Sequence, residues 1–328
     1  MRISPFALML VLLPAPLLAQ ADLPPEEHVR AALEHAPSVI AADARVEAAR
    51  GQAAALRVGP HEVTVQGTAS RRRVDLEGRD YQEFDATVSR AIRLPGKAAL
   101  DRRAGALGVE VAANKAEDAR HQAALALAEL WYRWLGASAR HRNAVATLAN
   151  LRQAARAVNR RVALRDAAML DADQAGAAVA AAEVRVGDTA ATRDRARAEL
   201  ATTFPALPLP AEAPDIIVGD MSDPMLATLA AQAVERSHDI VAADRESDRQ
   251  DALARRSRLD RLPDPSVGLR AFQERGGQEK GLGIYLSMPF GGGYRRALAD
   301  QAAGEARAAV ADAAAVRREV EAHSAGDL

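Results

Sequence analysis

The sequence predicts a mainly α-helical protein with a small β part. The expected parts are long antiparallel coiled-coil helices and four amphipathic strands forming two β-hairpins. Three observations carry this. Aromatic residues make up only 3% of the 328 residues, while 49% are hydrophobic, and much of that share is alanine. Alanine is the strongest helix former and has little bulk, so it favours long helices packed closely. No proline interrupts residues 96 to 163. The chain also repeats itself.

The repeat is read at an offset of 201 residues, where Ala32–Asp43 aligns with Ala233–Asp244. Ala32, Glu34, Ala41, Ala42 and Asp43 recur identically, and apolar matches apolar between them. Each half then reads as a helix, a proline break, two short strands, a Pro/Gly-rich break and a further helix. Pro60 is answered by Pro263 and Pro265, and Pro95-Gly96 by the run from Pro289 to Gly293. The expected organisation is a signal peptide at 1–21 and a first repeat at 22–203. That repeat holds a β-hairpin at 61–94 and a long helical hairpin at 96–203. A proline-rich linker at 204–221 leads to the second repeat at 222–328, with a β-hairpin at 265–289 and a partial helix at 293–323.

The strands are read from a period of two. In His61–Ser70, Val63, Val65, Gly67 and Ala69 alternate with Glu62, Thr64, Gln66, Thr68 and Ser70. Phe84, Ala86, Val88, Ile92 and Leu94 share a face in the second strand, with Arg90 an exception, opposite Asp85, Thr87, Ser89 and Arg93. The third strand is a poorer pattern, Val267, Leu269 and Ala271 against Gly268, Arg270 and Phe272. The fourth sets Leu282, Ile284, Leu286 and Met288 against Gly283, Tyr285 and Ser287. Strands of about ten residues cross a bilayer when tilted. Polar loops are expected at Arg71–Tyr81 and Glu274–Lys280.

The helix from Gly96 to about Ala163 would be ~100 Å long at ~1.5 Å per residue. Leu148, Leu151, Ala155, Val158 and Val162 follow the 3-4 spacing of a coiled-coil seam. A second helix over Ala168–Thr203 would run back along it, with Ala177, Ala181 and Val184 as its seam. Trp131, Trp134 and Leu127 form an apolar stripe and, with Tyr132, are read as packing.

The N-terminus reads as a secretory signal: Arg2, an apolar run from Pro5 to Leu18, then Ala19-Gln20-Ala21 as the cleavage site, so that the mature chain begins near Asp22. No later stretch is apolar for the eighteen or so residues of a spanning helix. Charge is balanced, 43 Lys+Arg against 44 Asp+Glu, which removes the basic surplus a nucleic-acid partner requires. There are no cysteines, hence no disulfides, thiolate metal sites or cysteine nucleophiles. His28, His35, His61, His121, His141, His238 and His323 lack metal-site spacing. Neither Pro95-Gly96-Lys97 nor Gly291-Gly292-Gly293 continues into a phosphate loop. No catalytic constellation and no cofactor is expected, so the chain does not read as an enzyme.

Four strands cannot sit in lipid alone, because both sheet edges leave backbone groups without partners. Copies must pool their strands into one barrel. Continued by ~100 Å helices, such a barrel makes a tube from the outer membrane deep into the periplasm.

Over about Glu26–Ala322 the chain resembles the outer-membrane efflux protein family, the TolC type. The resemblance rests on the duplicated order and on two segments. Val88–Lys97 is similar to the family's strand-to-helix transition, particularly that of heavy-metal efflux channels. Arg161–Asp171 is similar to the turn between the coiled-coil helices, the periplasmic tip that meets the adaptor. Arg165 stands where family members usually carry glycine. The resemblance implies a homotrimer with a twelve-stranded barrel in outer-membrane lipid and an α-helical tunnel. It implies a periplasmic adaptor and an inner-membrane efflux pump as partners, and heavy-metal cations as a cargo class. It places adaptor contacts at Leu164, Arg165, Asp166, Leu170 and Asp171. Asp166, Asp171 and Asp173 are equally well explained as solvated helix faces. Far fewer residues follow Pro289 than separate Pro95 from the linker. The second coiled-coil hairpin is therefore expected to be mostly absent, the second repeat truncated, and no gate residue is transferred. The alternatives are a periplasmic adaptor-like coiled-coil protein and a truncated channel without function.

Overall fold

The computed structural model describes residues 22–217 and 223–326. The expected signal peptide at 1–21, and the part of the linker from 218 to 221, lie outside the described residues. The chain divides into two compact units: residues 22–37 with 122–217, and residues 38–121 with 223–326.

In chain order the elements are α1 (Glu26–Glu34), α2 (Pro37–Val58), β1 (Val63–Val74), β2 (Arg79–Ala91), α3 (Lys97–Ala163), α4 (Met169–Thr203), α5 (Asp223–Glu235), α6 (His238–Leu259), β3 (Ser266–Glu274), β4 (Glu279–Ser287) and α7 (Gly293–Gly326). The duplication shows in these bounds. α2 and α6 are both 22 residues long, and both ends of α6 fall 201 residues after those of α2. The single helix expected at the start of each half is a pair. α1 stops before Pro37, which cannot be followed backward into a helix because it lacks an N–H. Ser237 caps α6 through a bond from the Ile240 N–H.

In the unit of residues 22–37 and 122–217, α4 runs antiparallel to α3. As the α3 number rises, its α4 partner's falls: Arg133 pairs with Glu199 at 3.1 Å, His141 with Thr189 at 3.2 Å, and Arg152 with Glu183 at 2.7 Å. Buried and half-buried positions on α3 repeat 4-3 through Leu127, Leu130, Trp134, Ala137, His141, Ala144, Leu148, Leu151, Ala155, Val158 and Val162. That is the heptad seam expected near the far end, carried further back. The seam on α4 differs from expectation. Ala177, Ala181 and Val184 are exposed, and Val184 is 66% exposed. The facing positions are Ala175, Val179, Ala182, Val186, Ala196 and Leu200. Alanine fills both faces of this helix, so the sequence offers little contrast from which to choose a phase. Trp131, Trp134 and Leu127 are buried as expected, whereas Tyr132 lies at the margin.

In the unit of residues 38–121 and 223–326, α2 and the first part of α3 pack through small residues. Ala42, Val46 and Ala116 form the centre, with Ala112 and Ala119 against them. The same unit holds one antiparallel sheet in the order β1-β2-β3-β4. The two hairpins are thus joined by pairing of β2 with β3, in register from Phe84 opposite Gln273 to Ala91 opposite Ser266. Gly268 sits at this seam because a Cβ there would come within 2.2 Å of the Val88 carbonyl.

Strand ends depart from expectation. β1 and β2 run through the segment expected as a loop, leaving only Asp75–Gly78 as the turn. Arg71 pairs with Asp80 and Arg72 with Glu83 across the strands, so these charges extend the hairpin instead of breaking it. β4 likewise begins inside the expected second loop, and β2 ends before Ile92 and Leu94. Among the described residues no helix is long and apolar enough to cross a membrane.

Candidate functional site

Three places in the molecule stand out by their chemistry, namely a sheet face, a strand-to-helix junction and a helical tip.

The register sorts every strand residue onto one of two faces. Val65 lies opposite Val88, Val88 opposite Leu269, and Leu269 opposite Ile284. Flanking rows set Gly67, Ala86, Ala271 and Leu282 in line, and Val63, Arg90, Val267 and Leu286 in line. Over these three rows the face is apolar except at Arg90, which donates to the His61 carbonyl at 2.9 Å, and it turns polar toward the hairpin turns at Arg71, Gln82, Gln273 and Lys280. This face is also exposed: Val65 by 73%, Leu282 by 78% and Ile284 by 83%. The opposite face carries Thr64, Gln66, Thr68, Asp85, Thr87, Ser89 and Arg270. Arg270 pairs with Asp85 and stacks 5.4 Å from the Phe272 ring centre. A water-soluble sheet buries its apolar side; this one shows it. β1 and β4 each have a strand neighbour on one side only, among the described residues.

Sequence reasoning misses the second place. Where β2 passes into α3, Lys97 is buried, with its side chain 2% exposed. Its ammonium lies 2.9 Å from Asp264 and 3.0 Å from Asp260, and donates to the Leu262 carbonyl at 2.7 Å. Asp264 also accepts from the Leu94 N–H at 3.0 Å and meets His61 Nε2 at 2.8 Å. One turn further on, buried Asp101 takes Arg93 at 3.0 Å and Arg256 at 2.7 Å. Arg93 reaches back to the α2 end, donating to the Leu56 and Val58 carbonyls at 3.0 and 2.6 Å. Gly59 has φ +84°, and its missing Cβ is where the Arg93 guanidinium lies. Burial alone would raise the Asp264 carboxyl, but the Lys97, Leu94 and His61 hydrogen bonds outweigh it and hold the group at about 2. Lys97 at the start of α3 thus inserts its cation among carboxylates that follow α6, while Arg256 of α6 reaches Asp101 of α3 in return. The signal in the sequence is Lys97 directly after Pro95-Gly96, together with Asp264 between two prolines.

The third place is the turn between α3 and α4. It contains Leu164, Arg165 and Asp166, with Leu170 and Asp171 in the first turn of α4. The Arg165 N–H bonds to the Val162 carbonyl at 2.9 Å and the Asp166 N–H to the Arg161 carbonyl at 2.8 Å. This is the Schellman pattern, which requires a left-handed residue at the position Arg165 occupies. Its φ is +61°, which accounts for glycine being the residue usually found there. Arg161 clasps Asp166 at 2.9 Å, and the Asp171 carboxylate accepts from the Ala168 N–H at 3.0 Å, fixing the start of α4. Leu164, Met169 and Leu170 are exposed by 79%, 68% and 64%. Asp173 is exposed as well. Met169 is thus a third exposed apolar side chain of this segment, although nothing in its spacing singles it out.

Among the described residues no group of three or more His, Asp or Glu is placed to hold a metal ion.

No family model matches the chain, and no curated protein matches it. Solved structures do. The outer membrane protein VceC of Vibrio cholerae superposes with TM-score 0.69 at 18% identity, covering 89% of this chain and 75% of VceC. CusC matches with TM-score 0.68 at 14% identity, over 89% of this chain and 72% of CusC. The open-state MtrE outer membrane channel of Neisseria gonorrhoeae matches with TM-score 0.64 at 17% identity, over 89% and 69%. At these identities the likeness is one of fold. The fold is that of TolC-type outer-membrane efflux-channel protomers, mainly helical with a four-stranded antiparallel sheet.

Proposed function

We propose that this chain is the outer-membrane channel component of a tripartite efflux system. A signal peptide at 1–21 exports it, and three copies form the working channel. The sheet supports this reading most directly: an apolar band three rows deep, broken only at Arg90, is exposed over four strands, and among the described residues both outer strands have an edge without a strand partner. Lipid covers the face, and neighbouring copies supply the missing edge partners, closing twelve strands into one barrel. The helices extend into the periplasm. The tip at Leu164, Arg165, Asp166, Leu170 and Asp171 meets a periplasmic adaptor, which links the duct to an inner-membrane pump. The chain performs no chemistry; the pump supplies the energy. The likeness of Val88–Lys97 to heavy-metal efflux channels supports heavy-metal cations as the cargo class.

The chain has no native cysteine, so the closure can be tested cleanly. One cysteine placed on β1 within residues 63–70 is combined with one on β4 within 281–287. Oxidation of intact cells is expected to yield covalent dimers and trimers in the outer-membrane fraction. Recovery as a soluble periplasmic monomer with no cross-links would overturn the reading. The cargo assignment is checked separately, by growth of a deletion strain on graded divalent heavy-metal salts.

A further inference from the structure

Asp22 lies in the unit of residues 22–37 and 122–217, and the channel reading makes no use of it. It is fully buried. Its main-chain carbonyl accepts from Trp131 Nε1 at 2.7 Å. Its Oδ2 accepts from the Tyr132 hydroxyl at 3.4 Å and from the Ile217 N–H at 3.3 Å. Its Oδ1 is buried without a partner, and no cation pairs with it among the described residues. Burial and the Asp22 charge together push the Tyr132 phenol above its ordinary value. An aspartate taken out of water with half its carboxylate unmet is costly unless a positive charge joins it. Nothing in the duct reading explains why this unit should enclose one. The position does: Asp22 directly follows Ala19-Gln20-Ala21.

We infer that Asp22 is the N-terminus made by leader removal, and that its new α-ammonium is the missing counter-charge. The unit therefore carries a docking site for its own processed end. The step is hydrolysis of the Ala21–Asp22 peptide bond by the host's leader peptidase. Water supplies the hydroxyl that leaves with Ala21 as its carboxylate, and the freed amine takes up a proton. The ammonium and the β-carboxylate belong to one residue, so covalent geometry holds them together at no cost in chain entropy. Before cleavage the same nitrogen is a neutral amide and cannot serve. Processing would thus tighten the packing of Trp131 and Trp134, whose rings meet edge-on at 5.3 Å.

This inference rests on the exported reading, and the test separates the two. The chain's only tryptophans are these two, so tryptophan-monitored melting of the purified channel reports on this site. Four proteins are compared: the unaltered chain, Asp22→Asn, a Gly-Ser insertion between Ala21 and Asp22, and both changes together. Mass spectrometry first confirms where each mature chain begins. In the unaltered background Asp22→Asn should lower the melting midpoint by about 4 °C, because it strips the ammonium of its partner. In the insertion background, where the amine has moved away, the same substitution should raise it. An increase in both backgrounds, or no change in either, overturns the inference and leaves the channel reading intact. A mature chain beginning elsewhere than Asp22 overturns it as well. A chain that retains residues 1–21 sinks the exported reading itself.

Discussion

The β2-to-α3 junction and the α3-to-α4 tip are made from the same ingredients and put them to different use. Each redirects the chain at an end of α3, and each joins basic side chains to aspartates. At the junction Lys97 and Asp101 are buried. At the tip Arg161 and Asp166 are both more than half exposed. A buried charge that loses its partner keeps the whole desolvation cost, whereas an exposed one returns to water. The junction should therefore tolerate almost no change, and the tip should tolerate much. On the proposed channel reading, structure is invested where the sheet must be held and freedom is left where an adaptor is to be met.

The sharpest way to break this comparison is Lys97→Met. Buried Asp264 would lose its ammonium while Asp260 keeps Arg256, at a cost of about 3 kcal/mol. The expected result is loss of heat-resistant oligomer from membranes. Adding Asp264→Asn should recover part of it, since one orphaned carboxylate is then removed. If Lys97→Met assembles normally, the junction is not the rivet between the repeats. The sheet gives the next effect. Ile284→Arg places a cation on the apolar face, and if lipid covers that face as proposed it should cost about 2–4 kcal/mol. Tyr285→Arg, its neighbour on the opposite face, should change membrane insertion little. Equal penalties for the two would mean that the faces are not divided between lipid and water.

Acid tests the junction without mutation. The Asp264 carboxyl is held at about 2, below its ordinary value. A lowered acid constant means that the folded state binds its proton less readily than the unfolded one. The stabilisation is therefore complete above about pH 4 and is lost as pH falls towards 2, roughly 2 kcal/mol in all. Urea midpoints measured from pH 6 to pH 2.5 should drop steeply below pH 4. In Asp264→Asn that part of the slope should vanish.

How much of this is legible in the sequence depends on contrast. Val63, Val65, Gly67 and Ala69 stand among polar residues, so the face assignment survives into three dimensions. On α4 the contrast is missing. Ala177, Ala178, Ala180, Ala181 and Ala182 leave no apolar stripe distinct from its surroundings, and the spacing points to the wrong side. The strand ends fail for another reason. Arg71, Arg72, Asp80 and Glu83 look like loop residues singly, and only pairing across the hairpin makes them strand residues. The junction is hidden by distance along the chain. Lys97 and Asp264 belong to different repeats, and no local pattern links them. At the tip the turn is visible, yet the reason for the usual glycine becomes clear only with the backbone angle of Arg165.

That angle supplies the smallest effect, and the one that best separates folding from recognition at the tip. A side chain held at φ +61° carries the left-handed penalty of about 1 kcal/mol. Glycine removes it, less the extra freedom glycine gives the unfolded chain. Arg165→Gly should thus raise the midpoint of the helical hairpin slightly, whereas Asp166→Ala should lower it by about 0.5 kcal/mol, and less in high salt. Both main-chain bonds of the turn remain available in Arg165→Gly, so its backbone shape is kept while one cation is deleted. If the guanidinium contributes to adaptor capture, this variant will melt higher and bind the adaptor more weakly. Should both properties rise together, the arginine is a cost the tip carries without using it, and recognition falls instead to exposed Leu164, Met169 and Leu170.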